Sequence, residues 1–295
     1  MTRVFDPFAI YGIADDDRTQ FNDRAVPCEN SGPILRNHPV ASVFWAENGG
    51  PIRTIIDGRK TRPTGFFRSI KGGSRSMPWD SLLEERTMQL ADLSSRVHFL
   101  LAQPHRIEIF VRGNRGRPLV YFPDLLLRVE PSLVWDLQAG MSFVDAAAVP
   151  TSRRLPDSDL QTLIIEVKAD VDSRDGNEAY RTKLQFVEEV YRRRAFHFFE
   201  MRDSKHLRSP FLRTVRLIDW RKAVVIDFFD EQRCLDVYGS RNVVARWQLE
   251  RALGGGNLGR VKLHGLHYRR FVSVDLRNGI VDAAPVHLLQ SGGGQ

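Results

Sequence analysis

Two short apolar stretches of this chain carry charged residues. Residues 119–129 read LVYFPDLLLRV, and residues 160–169 read LQTLIIEVKA. Both have the length and apolar content of β-strands, and the second is apolar enough to lie at the centre of a sheet. Side chains alternate along a strand, so Glu166 and Lys168 are expected on the same face. Because burying a charge is costly unless it is paired or binds a ligand, these stretches predict a polar site within a sheet.

The segments on either side predict an α/β core with a mixed central sheet flanked by helices. Residues 79–101 have apolar residues at helical spacing, and Ser81 with Glu84 follows the pattern of a capping box. Pro123 indicates an edge position or a bulge in its strand. Further strands are predicted at 106–112 and 195–200, a charged helix at 177–194, and an insertion with a short helix and a polar loop at 131–160.

The C-terminal third predicts a small α+β domain of the winged-helix kind. Its glycine run at 254–256 is typical of a helix end. Strands are predicted at 214–218, 223–228 and 269–276, a helix at 243–253, and a second helix or a turn at 261–268. The chain is therefore divided into an N-terminal, partly irregular extension at 1–64, a core at 65–205, the C-terminal domain at 206–290 and a flexible tail at 291–295.

Composition excludes several classes of protein. Of the 295 residues, 42% are hydrophobic and 27% are charged, which is ordinary for a globular protein and excludes wholesale disorder. No apolar run approaches the ~20 residues that span a bilayer, and the first residues lack the pattern of a signal peptide, so we expect a cytoplasmic protein with no membrane partner. Cys28 and Cys234 are too few for a disulfide scaffold or a thiolate zinc site.

The chain is basic, with 43 Lys and Arg against 36 Asp and Glu and a formal net charge of +7. This excess weakly favours a polyanionic partner. Residues 51–78 hold seven basic residues and one acidic residue in a stretch rich in Gly, Pro, Ser and Thr. The pattern predicts an exposed loop, which is either solvated surface or an arm that contacts DNA phosphates. The candidate DNA contacts are Arg59, Lys60, Arg62, Arg68, Lys71 and Arg75.

Asp124 and Glu166 would converge if their strands were neighbours. Two or three carboxylates at one place form the oxygen-rich kind of site that Mg²⁺ prefers. Such an ion stabilises charge on a phosphoryl oxygen and generates a hydroxide nucleophile, and the Lys168 ammonium would orient or deprotonate the attacking water or neutralise the scissile phosphate. The simpler interpretations are a surface ion pair between Glu166 and Lys168 and a turn at Pro123.

Five short motifs in order resemble one nuclease family. They are a basic Gly-x-x-x-Ser-x-Lys loop from residue 65, an acidic-Ser-x-x-Glu helix start from residue 80, Gln103-Pro104, YFPD at 121–124 and IIEVK at 164–168. Together they resemble the PD-(D/E)xK nuclease superfamily and, more narrowly, the TnsA family of transposon-end endonucleases. The resemblance covers roughly residues 65–200 and implies a restriction-endonuclease-like core followed by a small C-terminal domain.

The resemblance also implies roles for individual residues. It places Glu84 as a metal ligand or orienting residue, with Glu85 as the alternative, and Lys168 as the catalytic lysine. It implies Mg²⁺ as the cofactor, with Mn²⁺ able to substitute. The remaining implied metal ligands are Asp124, Glu166 and the main-chain carbonyl of Val167. Gln103 is expected to support the strand structurally rather than to take part in catalysis.

The leading functional hypothesis is a metal-dependent endonuclease subunit of a heteromeric transposase, which cuts one strand of double-stranded DNA at transposon ends. The resemblance implies a DDE-type transposase and an AAA+ ATPase regulator as partners. Two alternatives remain, a stand-alone restriction or repair nuclease and a non-catalytic DNA-binding assembly subunit. His264 and His267 could share a helix face, but no third ligand is near in sequence, so packing or DNA contact is favoured over a second metal site.

Overall fold

The computed structural model of the chain describes residues 40–53, 63–110, 118–172 and 174–289. Most of the predicted N-terminal extension and the whole predicted tail at 291–295 lie outside these residues. Three predicted DNA contacts, Arg59, Lys60 and Arg62, also lie outside them.

Strands and helices alternate along the described residues. The strands are β1 Val40–Trp45, β2 Gly65–Arg68, β3 Ser76–Trp79, β4 Val97–Ala102, β5 His105–Phe110, β6 Leu119–Tyr121, β7 Leu125–Val129, β8 Gln161–Lys168, β9 Phe196–Arg202, β10 Val243–Ala245, β11 Val272–Val274 and β12 Pro285–Leu288. The helices are α1 Leu82–Leu93, α2 Pro131–Gln138, α3 Phe143–Ala148, α4 Glu178–Arg193, α5 Phe211–Asp219, α6 Phe228–Tyr238, α7 Arg246–Ala252 and α8 Gly256–Tyr268.

A mixed four-stranded sheet lies at the centre, in the order β4-β7-β8-β9. The β4–β7 and β7–β8 pairs are antiparallel, whereas β8 and β9 are parallel. A parallel neighbour requires a crossover connection, and here α4 provides it. The predicted mixed α/β architecture is therefore confirmed. Smaller sheets are formed by β1-β5-β6, by β2-β3 and by β10-β12-β11.

A bent hairpin connects the central sheet to the β1-β5-β6 sheet. β4 pairs with β7 and β5 pairs with β6, so the hairpin leaves one sheet and enters the other at Gln103-Pro104 on one arm and at Pro123 on the other. Proline has no amide hydrogen to donate to a ladder, so each arm breaks where its proline lies. At the bend the Gln103 amide donates to the Asp124 carbonyl over 2.8 Å. The predicted single strand at 119–129 is therefore two strands in different sheets.

The helix predicted at 79–101 is shorter than expected. Only Leu82–Leu93 is helical, and Val97–Ala102 is the strand β4. The Ser81 side chain caps the helix by accepting from the Glu84 amide over 3.2 Å, as the capping pattern predicted. The apolar residues at 97, 100 and 101 fit the spacing of a continuing helix, but they lie in β4, a strand that is buried along almost its whole length.

The C-terminal region has the predicted mixture of helices with a small sheet, but the strands expected at 214–218 and 223–228 are absent from the described residues. The first of these segments lies within α5, because Val215 and Ile218 are spaced by one helical turn and are both buried. The glycine run behaves as predicted: Gly254 and Gly255 have φ of 113° and 68° between α7 and α8.

Buried polar contacts fasten this C-terminal region to the core. The His267 ring bonds the carbonyl of Leu93 at the end of α1 over 2.9 Å. Ser95 and Ser273 share a hydrogen bond of 2.6 Å, and the Arg270 guanidinium lies 3.3 Å from the Glu130 carboxylate. The apolar core is also continuous from one part to the other. No helix in the described ranges combines the length and apolar character needed to cross a membrane.

Candidate active site

Asp124 lies at the bend of the hairpin, directly before β7. Leu125 pairs with Ile165 on β8, so the register brings Asp124 beside Glu166. One oxygen of the Asp124 carboxylate accepts a hydrogen bond of 2.8 Å from the main-chain amide of Val167. The Pro-Asp and Glu-Val-Lys segments, which are 43 residues apart in sequence, therefore meet in one place.

Glu166 is buried, and both of its carboxylate oxygens accept hydrogen bonds. The Tyr121 hydroxyl donates to Oε2 over 2.6 Å, and the Tyr180 hydroxyl donates to Oε1 over 2.8 Å. A guanidinium nitrogen of Arg174 lies 3.8 Å from Oε1. In the sequence, Tyr121 stands out only as part of the YFPD motif, and Tyr180 does not stand out at all. Tyr180 lies on α4, which meets β8 only in the folded chain.

Lys168 lies two residues further along β8 and is also buried. Its ammonium donates to Glu200 on β9, and its nitrogen is 5.0 Å from the centroid of the Tyr180 ring. Glu166 and Lys168 thus both contact Tyr180, as expected for side chains on one face of a strand. The parallel pairing of β8 with β9 supplies Glu200, which the sequence did not reveal as a site residue.

The helix glutamate belongs to the capping arrangement at the start of α1. The carboxylate of Glu84 accepts from the Asp80 amide over 3.0 Å and from the Ser81 hydroxyl over 3.1 Å. Its negative charge also raises the pKa of Asp124. Glu85 follows it on the helix and is half-buried. Of these two glutamates, Glu84 is the one whose charge raises the pKa of Asp124.

Three carboxylates influence one another at this place. Burial raises the pKa of Asp124 well above its usual range, and the charges of Glu166 and Glu84 raise it further, while the Val167 amide and Arg174 oppose the shift. Burial and the charge of Glu166 likewise raise the pKa of the Tyr180 hydroxyl, so this tyrosine remains a donor. A cation bound beside these carboxylates would reduce the repulsion among them.

The implied metal can be compared with the donors that are present. Within the described ranges, no group of three or more His, Cys, Asp or Glu side chains is arranged to hold a metal ion. Carboxylate oxygens are nevertheless the donors that Mg²⁺ and Mn²⁺ prefer, and the mutual repulsion at Asp124 favours a bound cation. The residues fit such an ion in donor type and in charge, and the strand register places Asp124 beside Glu166.

Gln103 lies at the bend of the hairpin, next to Asp124. It is fully buried, its amide holds the Asp124 carbonyl, and its side-chain oxygen accepts from Arg53 over 2.8 Å. Its φ of +46° is uncommon for a residue other than glycine. These contacts set the bend of the hairpin, so Gln103 positions the main chain of Asp124.

The predicted basic contacts that lie in the described residues differ in exposure. Arg68 is exposed, whereas Arg75 is half-buried and donates to the carbonyl of Gly49. Lys71 is buried, and its ammonium donates to the carbonyls of Ala91 and Ser94 at the end of α1. The prediction that Lys71 contacts DNA needs correction, because its side chain is buried and bonds the last carbonyl groups of a helix inside the protein.

The two C-terminal histidines pack in the interior. His267 accepts from the Val274 amide over 3.1 Å on one ring nitrogen and bonds the Leu93 carbonyl with the other. His264 is buried and its Nδ1 lies 3.1 Å from a guanidinium nitrogen of Arg221. Burial lowers the pKa of each ring to about 3. The packed interpretation that the sequence favoured agrees with these contacts.

Neutralising Asp124 should stabilise the metal-free protein. Asn keeps an oxygen for the Val167 amide and removes the repulsion from Glu166 and Glu84. Because folding raises the pKa of Asp124, ionisation of this carboxyl lowers the free energy of unfolding. The loss of stability grows as the pH rises above the pKa of Asp124 in the unfolded chain. We expect the D124N variant to melt at a higher temperature than the wild type at pH 8, with the difference shrinking towards about pH 4.

Thermal melts in EDTA across this pH range measure the effect. The control is D236N, which neutralises an exposed aspartate on α6 and should leave the melting temperature unchanged. A D124N variant that melts at or below the wild-type temperature throughout would contradict the repulsion.

No protein-family model matches this chain, and no curated protein matches its sequence significantly. The function is therefore inferred from the chemistry of the site.

Proposed function

We propose that the protein is a metal-dependent DNA endonuclease of the PD-(D/E)xK kind, with a restriction-endonuclease-like core. The observation that carries this proposal is the 2.8 Å hydrogen bond from the Val167 amide to the Asp124 carboxylate. It joins the acidic residue of one strand to the main chain between Glu166 and Lys168 on the next. Carboxylates beside a lysine on neighbouring strands are an arrangement that can hydrolyse a phosphodiester.

The side chains would have different roles in such a reaction. Asp124, Glu166 and the main-chain carbonyl of Val167 would hold Mg²⁺, with Glu84 as a further ligand or an orienting group. The ion, when bound, would stabilise charge on a phosphoryl oxygen and lower the pKa of a bound water. Tyr121 and Tyr180 fix the orientation of Glu166 by donating to both of its oxygens.

Lys168 would act on the attacking water or on the scissile phosphate. Its ammonium is held by Glu200, and Glu200 is in turn held by Arg202 over 2.6 Å. Arg202 also pairs with Asp175 over 2.7 Å. This chain of ion pairs restrains a long, rotatable side chain, so less conformational entropy is lost when Lys168 meets its substrate.

We further propose that the protein serves as one subunit of a heteromeric transposase and acts on double-stranded transposon ends. The ordered motifs support this narrower assignment, and so does the lack of a strong base-reading motif in the sequence. A partner that binds the ends would deliver the scissile phosphate, and a DDE-type transposase with an AAA+ ATPase regulator fits that role. The segment 131–160 and the C-terminal region are the proposed docking surface, and they adjoin each other where the Leu276 amide donates to the Ala148 carbonyl over 3.1 Å.

Cleavage assays test both levels of the proposal. We expect the purified chain to nick plasmid poorly with Mg²⁺ or Mn²⁺ and to cut a labelled transposon-end duplex when a transposase encoded beside it is added. Efficient, sequence-specific cutting by the chain alone would instead identify a restriction or repair nuclease. DNA binding without cleavage under every condition would identify a non-catalytic assembly subunit.

A further inference from the structure

Three cationic side chains surround one aromatic ring beside the carboxylates. The Tyr180 ring centroid lies 5.0 Å from the Lys168 ammonium, 4.9 Å from the Arg174 guanidinium and 5.2 Å from the Lys183 ammonium. Aromatic faces attract cations at such distances, but three like charges around one ring also repel one another. An anion bound beside the ring would reduce that repulsion.

Two of the three cations already have a carboxylate partner. Lys168 is paired with Glu200, as described above. Arg174 donates Nε to Oδ1 of Asp172 over 3.0 Å and Nη2 to Oδ2 over 2.6 Å. This two-point contact fixes the plane of the guanidinium and leaves its Nη1 on the side of Glu166, 3.8 Å from Oε1.

Lys183 differs from the other two cations. Its side chain is half-buried on α4, and no carboxylate among the described residues lies within 4.0 Å of its ammonium. Such an ammonium can pair with an anionic ligand without giving up a carboxylate partner. Its only ring contact among those residues is with Tyr180, whose hydroxyl donates to Glu166. The unpaired charge is therefore linked through one tyrosine to the site of the carboxylates.

We propose that Arg174 and Lys183 bind a phosphate group of the DNA strand that lies in the active site. This inference rests on the proposed function. A phosphodiester suits the cluster because its anionic oxygens can accept from a guanidinium and an ammonium together. Sequence reasoning placed the phosphate contacts in the basic stretch at 51–78, whereas this pair lies on the connection after β8 and on α4.

The test compares the DNA affinity of single variants with a matched control. The variants are K183Q and R174Q, and the control is R181Q, which removes the same charge from an exposed position on α4. The probe is a short duplex in EDTA, where cleavage cannot occur, titrated over a range of salt concentrations. Each phosphate contact contributes about −0.9 to the slope of log K against log salt.

We expect K183Q and R174Q each to weaken binding and to reduce that slope by up to about 0.9, whereas K183R and R181Q keep the wild-type values. Equal losses in R181Q, or none in K183Q and R174Q, would overturn the inference. Because binding is measured without cleavage, the result stands apart from the nuclease proposal. If the protein never cuts DNA but K183Q weakens binding, the phosphate site is supported and the nuclease proposal is not. If the protein cuts DNA but K183Q and R174Q bind as the wild type does, the phosphate site is overturned and the nuclease proposal is not.

Discussion

Replacing Lys168 with methionine should slow metal-dependent cleavage by about 10² to 10⁴-fold while the protein remains folded. Methionine has a similar length, so it fills the buried space, but it can neither transfer a proton nor neutralise a phosphate. Glu200 retains its ion pair with Arg202 after the substitution, so no carboxylate is left without a partner. The loss should therefore affect the chemical step rather than the fold.

Single-turnover cleavage of an end duplex, together with the melting temperature, measures this effect. The control is K205M, which removes an exposed lysine just after β9 and should cut at the wild-type rate. Asp124→Ala should also abolish most of the activity, because loss of even a partner behind a metal ligand costs about 10- to 100-fold. If K168M cuts at nearly the wild-type rate with an unchanged melt, Lys168 is not the catalytic lysine.

Replacing Asp92 with alanine should lower the free energy of unfolding by about 3 to 5 kcal/mol. Asp92 lies on the last turn of α1 and is completely buried. Its carboxylate accepts from the Ser69 hydroxyl over 2.6 Å and from the Lys71 amide over 3.2 Å, and it pairs with Lys222 over 3.1 Å. Removing it would leave several buried donors without an acceptor.

Urea unfolding followed by circular dichroism measures this loss, and D236A on the exposed face of α6 is the control. Since Lys222 belongs to the C-terminal region and Ser69 to the core, the variant also tests whether the two parts unfold together. We expect one cooperative transition at a lower urea concentration. A change below about 1 kcal/mol, which is the size of a surface ion pair, would show that the Asp92 contacts contribute little to stability.

Local patterns alone predicted much of the central sheet. The central strands β7, β8 and β9, the strand β5 of the neighbouring sheet and the helix α4 lie close to the segments predicted from the sequence. Each has a clear period or a continuous apolar run bounded by turn residues, and these features depend only on near neighbours in the chain. The same reasoning placed Glu166 and Lys168 on one face, because alternation is a property of any strand.

Other features depended on contacts between distant residues. Nearly every side chain of β4 is buried, so its sequence has no period that separates a strand from a continuing helix. In α5 the burial of Val215 and Ile218 against the core selects a helix for a segment that reads equally well as a strand. Lys71 belongs to a basic stretch, yet it is buried because the end of α1 offers it two carbonyl groups.

The sequence by itself determined where these charged residues lie along the strands of the core. Asp124 directly precedes β7, and Glu166 and Lys168 lie at the end of β8. Only the tertiary structure decided what surrounds them. The parallel register of β8 and β9 brings Glu200 to Lys168, and the crossover through α4 brings Tyr180 to Glu166. These partners are 32 and 14 residues from the groups they contact. Their pairing follows from strand register and helix packing, which are set by burial of the whole sheet and not by any local pattern.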